Sequence, residues 1–512
     1  MEEVDANAPR LYFLAKATLL SRQQVQYVAD TVAHVASEIL RKPNQTLRDT
    51  GFFSPQHAPI LHKWNHRTFW PGEGDIPSSI LDAIRRHSQR SPDALAIVAW
   101  DGSISYGDLE ARSTCLAEYL RRVGVGPGVM VPLLLDHSQW VIITQLAVLK
   151  AGAAFVPLEP SHPQERLRYI VRCVKAFLIV ASEAHCARAR QLVEQVIPIN
   201  ESIMNTVRSA ILSTACITPT ADAPAYVLFT SGSTGQPKGC VIDHRAMAQL
   251  PHDGVAASVG PDSRVLQFAT YSFTMAIYEI YWCLSNGGTL CIPSDHDRLN
   301  NLPTVIEEMQ VTWAVLTPSV LRRLSHDNPP SSLQTLALGG EPLAAGDMEA
   351  WVRKLQVFFG YASSEGTALN CLTELSEQSH ALEYTPTPRV RHWIVDPDNH
   401  DKLAAMGTVG ELIVESPGLA REYLDNPTAT AAAFIQSPDW RRSFRFSQDG
   451  SQPIRMYKTG DLFRYTERGN LQYVGRKATQ VKIRGQRLDL GEVEYNVSQQ
   501  CPAPARVIAE TG

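Results

Sequence analysis

Between two apolar runs, YVLFT and CVI, the ten residues Thr230 to Gly239 (TSGSTGQPKG) hold three glycines, four hydroxyl residues and one lysine. Glycines and small hydroxyls in a tight loop turn backbone N–H groups toward an anion, and Lys238 adds a point charge. The order is not that of a Walker A loop, which needs Gly-Lys-Ser/Thr in succession and a helix immediately after. Here Gly239 follows Lys238 and an apolar strand comes next. The two runs are expected to pair as a hairpin, leaving a loop that closes over a phosphate.

Elements of ordinary globular character must position this loop. The chain has 512 residues, 44% hydrophobic and 19% charged, enough for two to four subdomains. A net charge of −5 offers no basic face for nucleic acid. Nine cysteines, an odd number without C-x-x-C pairs, indicate reduced thiols in a cytoplasmic protein and no zinc knuckle. Arg10 and Lys16 interrupt the first apolar run, so no secretory signal is expected. Nor does any window reach 18 uninterrupted apolar residues, so no membrane partner is expected.

Residues 21–42 place Val25, Val28, Val32, Val35, Ile39 and Leu40 on one helical face, and Pro43 ends the helix. After a Pro- and His-rich loop to about Trp70, helical patterns alternate with short β-branched runs for about 150 residues, and a second such series runs from Val265 to about Gly360. From Val390 the strands shorten and turn residues separate them. The expected fold is α/β: two α/β subdomains with mainly parallel sheets, plus a smaller β-rich subdomain shaped as a distorted barrel. The expected divisions are a helical leader at 1–65, a large core at 66–475 and a hinge segment at 476–512. The last is too short for a domain of its own, so a small C-terminal subdomain is essentially missing.

With its loop and the motifs that follow in order, the sequence closely resembles the adenylate-forming superfamily, and in detail the adenylation domains of fungal nonribosomal peptide synthetases. SYGDL (105–109), LKAGAAFVPLEPSHPQERLRYI (149–170), QFATYSFTMAIYEI, GYASSEGTALN, GELIVESPGLAREYLDNPTAT, YKTGDL and GRKATQVKIRGQRLDLGEVE carry the likeness. It implies a two-step reaction. A carboxylic acid and ATP give an acyl-adenylate and pyrophosphate, and the acyl group then passes to the phosphopantetheine thiol of a carrier domain.

By the same resemblance Thr230, Ser231, Gly232, Ser233, Thr234, Gly235, Lys238 and Gly239 hold the β- and γ-phosphates, and Glu365 coordinates Mg²⁺, a cation that prefers oxygen ligands. Gly360, Tyr361 and Ser364 lie along the nucleotide, with Tyr361 against the adenine. Asp461 accepts from both ribose hydroxyls, Arg476 reaches the ribose or phosphates, and His244 matches a family histidine. The residues carried over as catalytic are Lys238, Thr230, Glu365 and His244.

Three features depart from the family pattern. Tyr-Gly-Pro-Thr-Glu is Tyr361-Ala362-Ser363-Ser364-Glu365, the hinge aspartate is Ala478, and the C-terminal catalytic lysine lies beyond Gly512, so weak adenylation is expected. Thr274 stands where relatives taking α-amino acids have an aspartate against the ammonium. A neutral hydroxyl cannot serve as that counter-ion. The implied pocket, Thr274, Met275, Tyr278, Val315, Ala337, Gly339, Gly360, Ala368 and Leu369, suits an aryl acid such as anthranilate first. An α-hydroxy or α-keto acid comes second and a betaine-like acid third. An acyl- or aryl-CoA ligase, and a binding module without turnover, remain the alternatives.

Overall fold

The computed structural model describes residues 20–66, 79–210, 219–231, 236–252, 258–324, 329–341, 348–367, 369–377, 383–387, 389–446, 454–477, 480–483 and 486–490, with isolated positions at 343, 493, 497 and 509. Three sheets organise it. The seven-stranded sheet runs, in spatial order, Glu422–Tyr423, Lys238–Asp243, Pro224–Thr230, Ala154–Leu158, Met130–Leu134, Leu178–Ser182, Gln195–Ile199. The eight-stranded sheet runs Cys371–Leu375, Gln356–Tyr361, Thr335–Gly339, Trp313–Leu316, Arg264–Leu266, Thr289–Ile292, Leu95–Ala99, Gly102–Ser105. Both are parallel inside; the eight-stranded sheet is antiparallel at both edges and the seven-stranded sheet at one, the other edge pair, Leu178–Ser182 with Gln195–Ile199, being parallel.

Pro224–Thr230 and Lys238–Asp243 do pair antiparallel, with Thr230 opposite Lys238. Residues 225–228 and 239–242 are buried, so the hairpin is rooted in the core, and its strand end at Thr230 is half-buried.

Two helices have almost no exposed face, Gln139–Lys150 and Thr274–Ser285. Each is apolar nearly all round, which a helix tolerates only when it is enclosed. The one cation in the first, Lys150, is buried and satisfied by the Glu110 carboxylate at 2.8 Å and the hydroxyls of Ser113 and Thr114.

The third sheet is antiparallel: Asn399–Leu403, Arg391–Asp396, Gly410–Glu415, Arg455–Tyr465, Phe434–Gln436, with Leu471–Arg476 also on Arg455–Tyr465. At its centre the fully buried Glu415 carboxylate accepts from Arg391 (2.6 Å), Arg441 (2.7 and 2.8 Å) and Trp393 Nε1 (2.9 Å). Phe446 lies under both guanidinium groups, with Cζ 3.9 and 4.9 Å from its centroid. Glu415 ends the strand that holds Arg455–Tyr465 in register, so this network anchors the strand that carries Asp461.

The helix expected at 21–42 forms as Arg22–Arg41, with Ser21 and Gln24 making a reciprocal capping box. The face it buries differs from the expected one. Tyr27 packs inward and Asp30 meets His57 at 3.1 Å, while Val28, Val32 and Ile39 remain exposed. Polar partners near His57 and Tyr27 fix the helix rotation about 100° from the valine stripe.

Removing the Glu415 charge (Glu415→Ala) leaves two buried guanidinium groups without a counter-ion and should cost about 3–5 kcal/mol. Denaturant unfolding checks this; a loss below 1 kcal/mol would mean that the third sheet does not depend on the network.

Candidate functional site

Both α/β sheets and the antiparallel sheet contribute to a cavity of about 310 Å³. Its walls come from the carboxyl ends of strands: Thr230 and Ser231, Val315, Ala337 to Gly339, and Gly360. Open α/β sheets place ligands at this edge. Helix Thr274–Ser285 presents Thr274 and Met275 at its first turn and Trp282 further on. The antiparallel sheet contributes Tyr457, Thr459, Asp461 and Arg476.

One side of the cavity is polar. Asp461 is buried, and its carboxylate accepts from the Tyr361 hydroxyl at 2.5 Å and lies 3.4 Å from Arg476 Nε. Asp461 and Arg476 are directly opposed across adjacent strands, so sheet register fixes the pair. Burial, with the neighbouring Asp461 charge, pushes the Tyr361 phenol well above its ordinary pKa, so it stays a hydrogen-bond donor. Its ring is packed edge-on against Phe463 and Tyr384, at 5.1 and 6.0 Å. The hydroxyls of Thr274 and Ser364 share a hydrogen bond of 2.7 Å, tying the helix start to the turn after Tyr361.

The other side is apolar: Phe273, Met275, Trp282, Val315, Ala337, Leu369 and Leu372, with Gly339 and Gly360 paired on adjacent strands. A Cβ on Gly360 would stand 3.1 Å from Leu369 Cδ2, and one on Gly339 would stand 3.2 Å from the Gly360 carbonyl, so side chains there would take up the floor of the cavity. The loop entering this wall is held from behind by Glu279, which accepts from the Phe268 and Ala269 N–H groups and the Gln267 amide. Burial lifts its carboxyl to about 8.

Of the residues singled out from sequence, Thr230, Ser231, Ser364, Gly360, Asp461, Arg476, Thr274, Met275, Val315, Ala337, Gly339 and Leu369 line this one cavity. The loop tip, Gly232 to Gly235, lies outside the described residues, as do Ala368 and Ala478. Tyr361 stands behind Asp461 and is not itself in the wall. Glu365 is fully buried next to Ser364 and accepts from the Tyr423 hydroxyl at 2.7 Å. Lys238 and Gly239 border a neighbouring hollow with Tyr423, the Lys238 ammonium 5.6 Å from the Tyr423 ring centroid. A row Lys238–Tyr423–Glu365 thus runs along the back of the hairpin. His244 begins a short helix capped by Asp243, fully buried, away from the cavity, and neither ring nitrogen has a hydrogen-bond partner among the described residues. Burial pulls its pKa to about 4.

Sequence reasoning named Tyr278 and missed Trp282. Tyr278 is buried flat against Trp282, rings 4.7 Å apart at 13°, and Trp282 forms the wall. The i, i+4 relation of 274, 278 and 282 was the available signal. Also missed were Glu159, Ser161, His162 and Arg166 of the PSHPQER stretch, which border the cavity. Burial, then Arg166 and Arg188, lower His162 to about 4, so it is neutral there at pH 7.

A family model described as AMP-binding enzyme matches residues 84–424. The chain belongs to the AMP-binding enzyme family. Its class is accordingly that of the AMP-forming ligases that adenylate carboxylates, with ATP as the nucleotide. It is similar to the nonribosomal peptide synthetase lenA of Aspergillus lentulus, 46% identical over 507 residues, covering 98% of this chain and 11% of that protein. A second relative, the nonribosomal peptide synthetase penN of Penicillium thymicola, is 38% identical over 500 residues, covering 98% and 17%. The chain therefore spans less than a fifth of either relative. Among solved structures it is similar to holo-PA1221, a nonribosomal peptide synthetase protein containing adenylation and PCP domains, with a TM-score of 0.74 and 26% identity, covering 83% of this chain and 72% of that one. In this AMP-binding enzyme no helix among the described residues is long and apolar enough to cross a membrane.

His244 makes a pH prediction. Its folded pKa lies below the ordinary 6.5, so the unfolded chain binds the extra proton, and stability is lost as pH falls from 6.5 toward 4. Unfolding free energy of His244→Gln measured from pH 6.5 to 5 should fall less steeply than wild type, by about 1 kcal/mol per unit. Equal slopes would contradict a neutral buried imidazole.

Proposed function

We propose that this chain activates a carboxylic acid without an α-ammonium group as its acyl-adenylate, releasing pyrophosphate, for transfer to the phosphopantetheine thiol of a carrier domain in nonribosomal peptide synthesis. One observation carries the reading: a single cavity joins polar residues, Thr230, Ser231, Asp461 and Arg476, to apolar ones, Met275, Trp282, Val315 and Leu369, with Thr274 also in its lining. In this reading residues 66–475 bind both substrates after the leader 1–65, and 476–512 begin the segment that repositions between the half-reactions.

The acid's carboxylate oxygen attacks the α-phosphorus, and the bond from that phosphorus to the β-bridging oxygen breaks. Asp461 accepts from the ribose hydroxyls, Arg476 faces the ribose or phosphates, and Thr230, Ser231 and the loop through Lys238 and Gly239 hold the departing phosphates. Tyr361 orients Asp461 from behind. A Mg²⁺ bound with the triphosphate needs only one or two protein carboxylates. Glu365, the carboxylate that the resemblance assigns to the ion, is fully buried beside Ser364, accepts from Tyr423 and does not border the cavity, so as placed here it does not meet that need.

Among the described residues the carboxylates bordering the cavity are Glu159 and Asp461, and Asp461 is engaged by Tyr361 and Arg476. Thr274 offers only a hydroxyl, itself bonded to Ser364. A substrate ammonium in the apolar side would lack a counter-ion, which supports an aryl acid such as anthranilate first. An α-hydroxy or α-keto acid ranks second. A betaine-like acid ranks third, and for it the accessible aromatic face is Trp282 rather than Tyr278. In this reading the protein works in the cytoplasm, where nine scattered cysteines stay reduced.

Acid-dependent ATP–pyrophosphate exchange tests the proposal with aryl, α-hydroxy, α-keto, betaine-like and α-amino acids. Exchange is expected with aryl acids and not with α-amino acids. Thr274→Asp should shift preference toward α-amino acids by roughly thirtyfold, the equivalent of about 2 kcal/mol for a restored counter-ion. Exchange with α-amino acids alone would overturn the substrate assignment, and no exchange with any acid would favour a binding module.

A further inference from the structure

Trp282 is fully buried, lies flat against Tyr278 and stands at 87° to Trp313, centroids 6.0 Å apart, so its ring is held in one orientation. Helical side chains lean toward the helix N-terminus, which brings the indole back over the turn of Tyr278 and into the cavity wall. Three described indoles are under 2% exposed: Trp282, Trp313 and Trp393. Trp313 Nε1 donates to Ser258 Oγ at 3.0 Å and Trp393 Nε1 to Glu415 at 2.9 Å. Trp282 Nε1 has no acceptor among the described residues. An indole nitrogen is a donor only, and a buried donor left unmade is costly, so natural interiors rarely keep one. Trp282 borders the apolar wall of the cavity, where a ligand seated against the indole can supply the missing oxygen.

We propose that Trp282 Nε1–H is a specificity-determining donor that selects aryl acids bearing a hydrogen-bond acceptor, such as a ring hydroxyl, on the ring edge away from the carboxylate. The inference rests on the apolar side being the seat of the acid. A site with a buried donor rejects the same-shaped ligand lacking the acceptor, because the donor then stays unpaired, whereas an apolar wall alone discriminates weakly between isosteres. Thr274 acts at the other end of the same helix face, so the substrate meets one polar group near its carboxylate and one at its far edge.

The test uses non-hydrolysable acyl-sulfamoyl adenosines in matched pairs, 3- and 4-hydroxybenzoyl against 3- and 4-methylbenzoyl, with dissociation constants from calorimetry. Wild type should bind one hydroxyl compound about tenfold more tightly than its methyl partner. Trp282→Phe should bring that pair within about twofold, the hydroxyl compound losing more affinity than its methyl partner. Equal binding of both pairs by wild type, with tight binding of all four, overturns the inference and leaves the aryl-acid reading intact. Equal weakening of both members in Trp282→Phe also overturns it, since that marks packing alone. Binding of ATP with no binding of any aryl compound overturns the aryl-acid reading and this inference with it. Independently of any variant, the wild-type structure with the preferred compound should place its hydroxyl oxygen within hydrogen-bond distance of Trp282 Nε1. An Nε1 directed only at the Trp313 ring would contradict the assignment.

Discussion

The Asp461 carboxylate is the constraint on which the architecture of the cavity turns. A buried carboxylate is tolerated only when its charge and lone pairs are engaged. Here a phenol from the eight-stranded sheet and a guanidinium from the neighbouring antiparallel strand engage it, so one side chain joins two sheets. The arrangement reaches deep into the fold. Asp461 stands on the long strand Arg455–Tyr465, that strand pairs with Gly410–Glu415, and Glu415 is clamped by two arginines and an indole. In our reading the same carboxylate is the ribose acceptor, which explains why a costly buried charge sits at the edge of a cavity.

The apolar side of the cavity is organised by a different logic. Helix Thr274–Ser285 is enclosed, so whatever it shows to the cavity is set by rotation about a rigid axis. Glu279 fixes the loop before it, the Thr274–Ser364 bond fixes its first turn, and the Tyr278–Trp282 stack with Trp313 edge-on fixes its later turns. The hydroxyl bridge links the apolar wall to the turn that carries Glu365.

Much of this was legible in the sequence, for identifiable reasons. The hairpin around Thr230 and Lys238 was readable because two apolar runs bracket a glycine-hydroxyl loop, and the antiparallel sheet because its short strands are separated by turn residues. What escaped depended on rotation and depth. Periodicity marks an apolar stripe on residues 22–41 but does not say that Tyr27 and Asp30 would set the packed face. Motif order singles out Tyr278, yet ring stacking puts Trp282 in the wall. It also groups Lys238 and Glu365 with the phosphate loop, whereas the structure sets them in a row through Tyr423 behind the hairpin. His244, adjacent in sequence to the hairpin, faces the apolar interior because Asp243 caps the short helix that it begins.

The most direct measurement compares ATP with 2′,3′-dideoxy-ATP in binding to wild type and to Asp461→Asn. Hydrogen bonds to a charged acceptor are worth about 1.5–3 kcal/mol each, so wild type should bind the dideoxy nucleotide at least roughly tenfold more weakly, and the variant should lose most of that difference. Equal binding of the two nucleotides by wild type, or a full difference retained in Asp461→Asn, would contradict the placement of the ribose at Asp461.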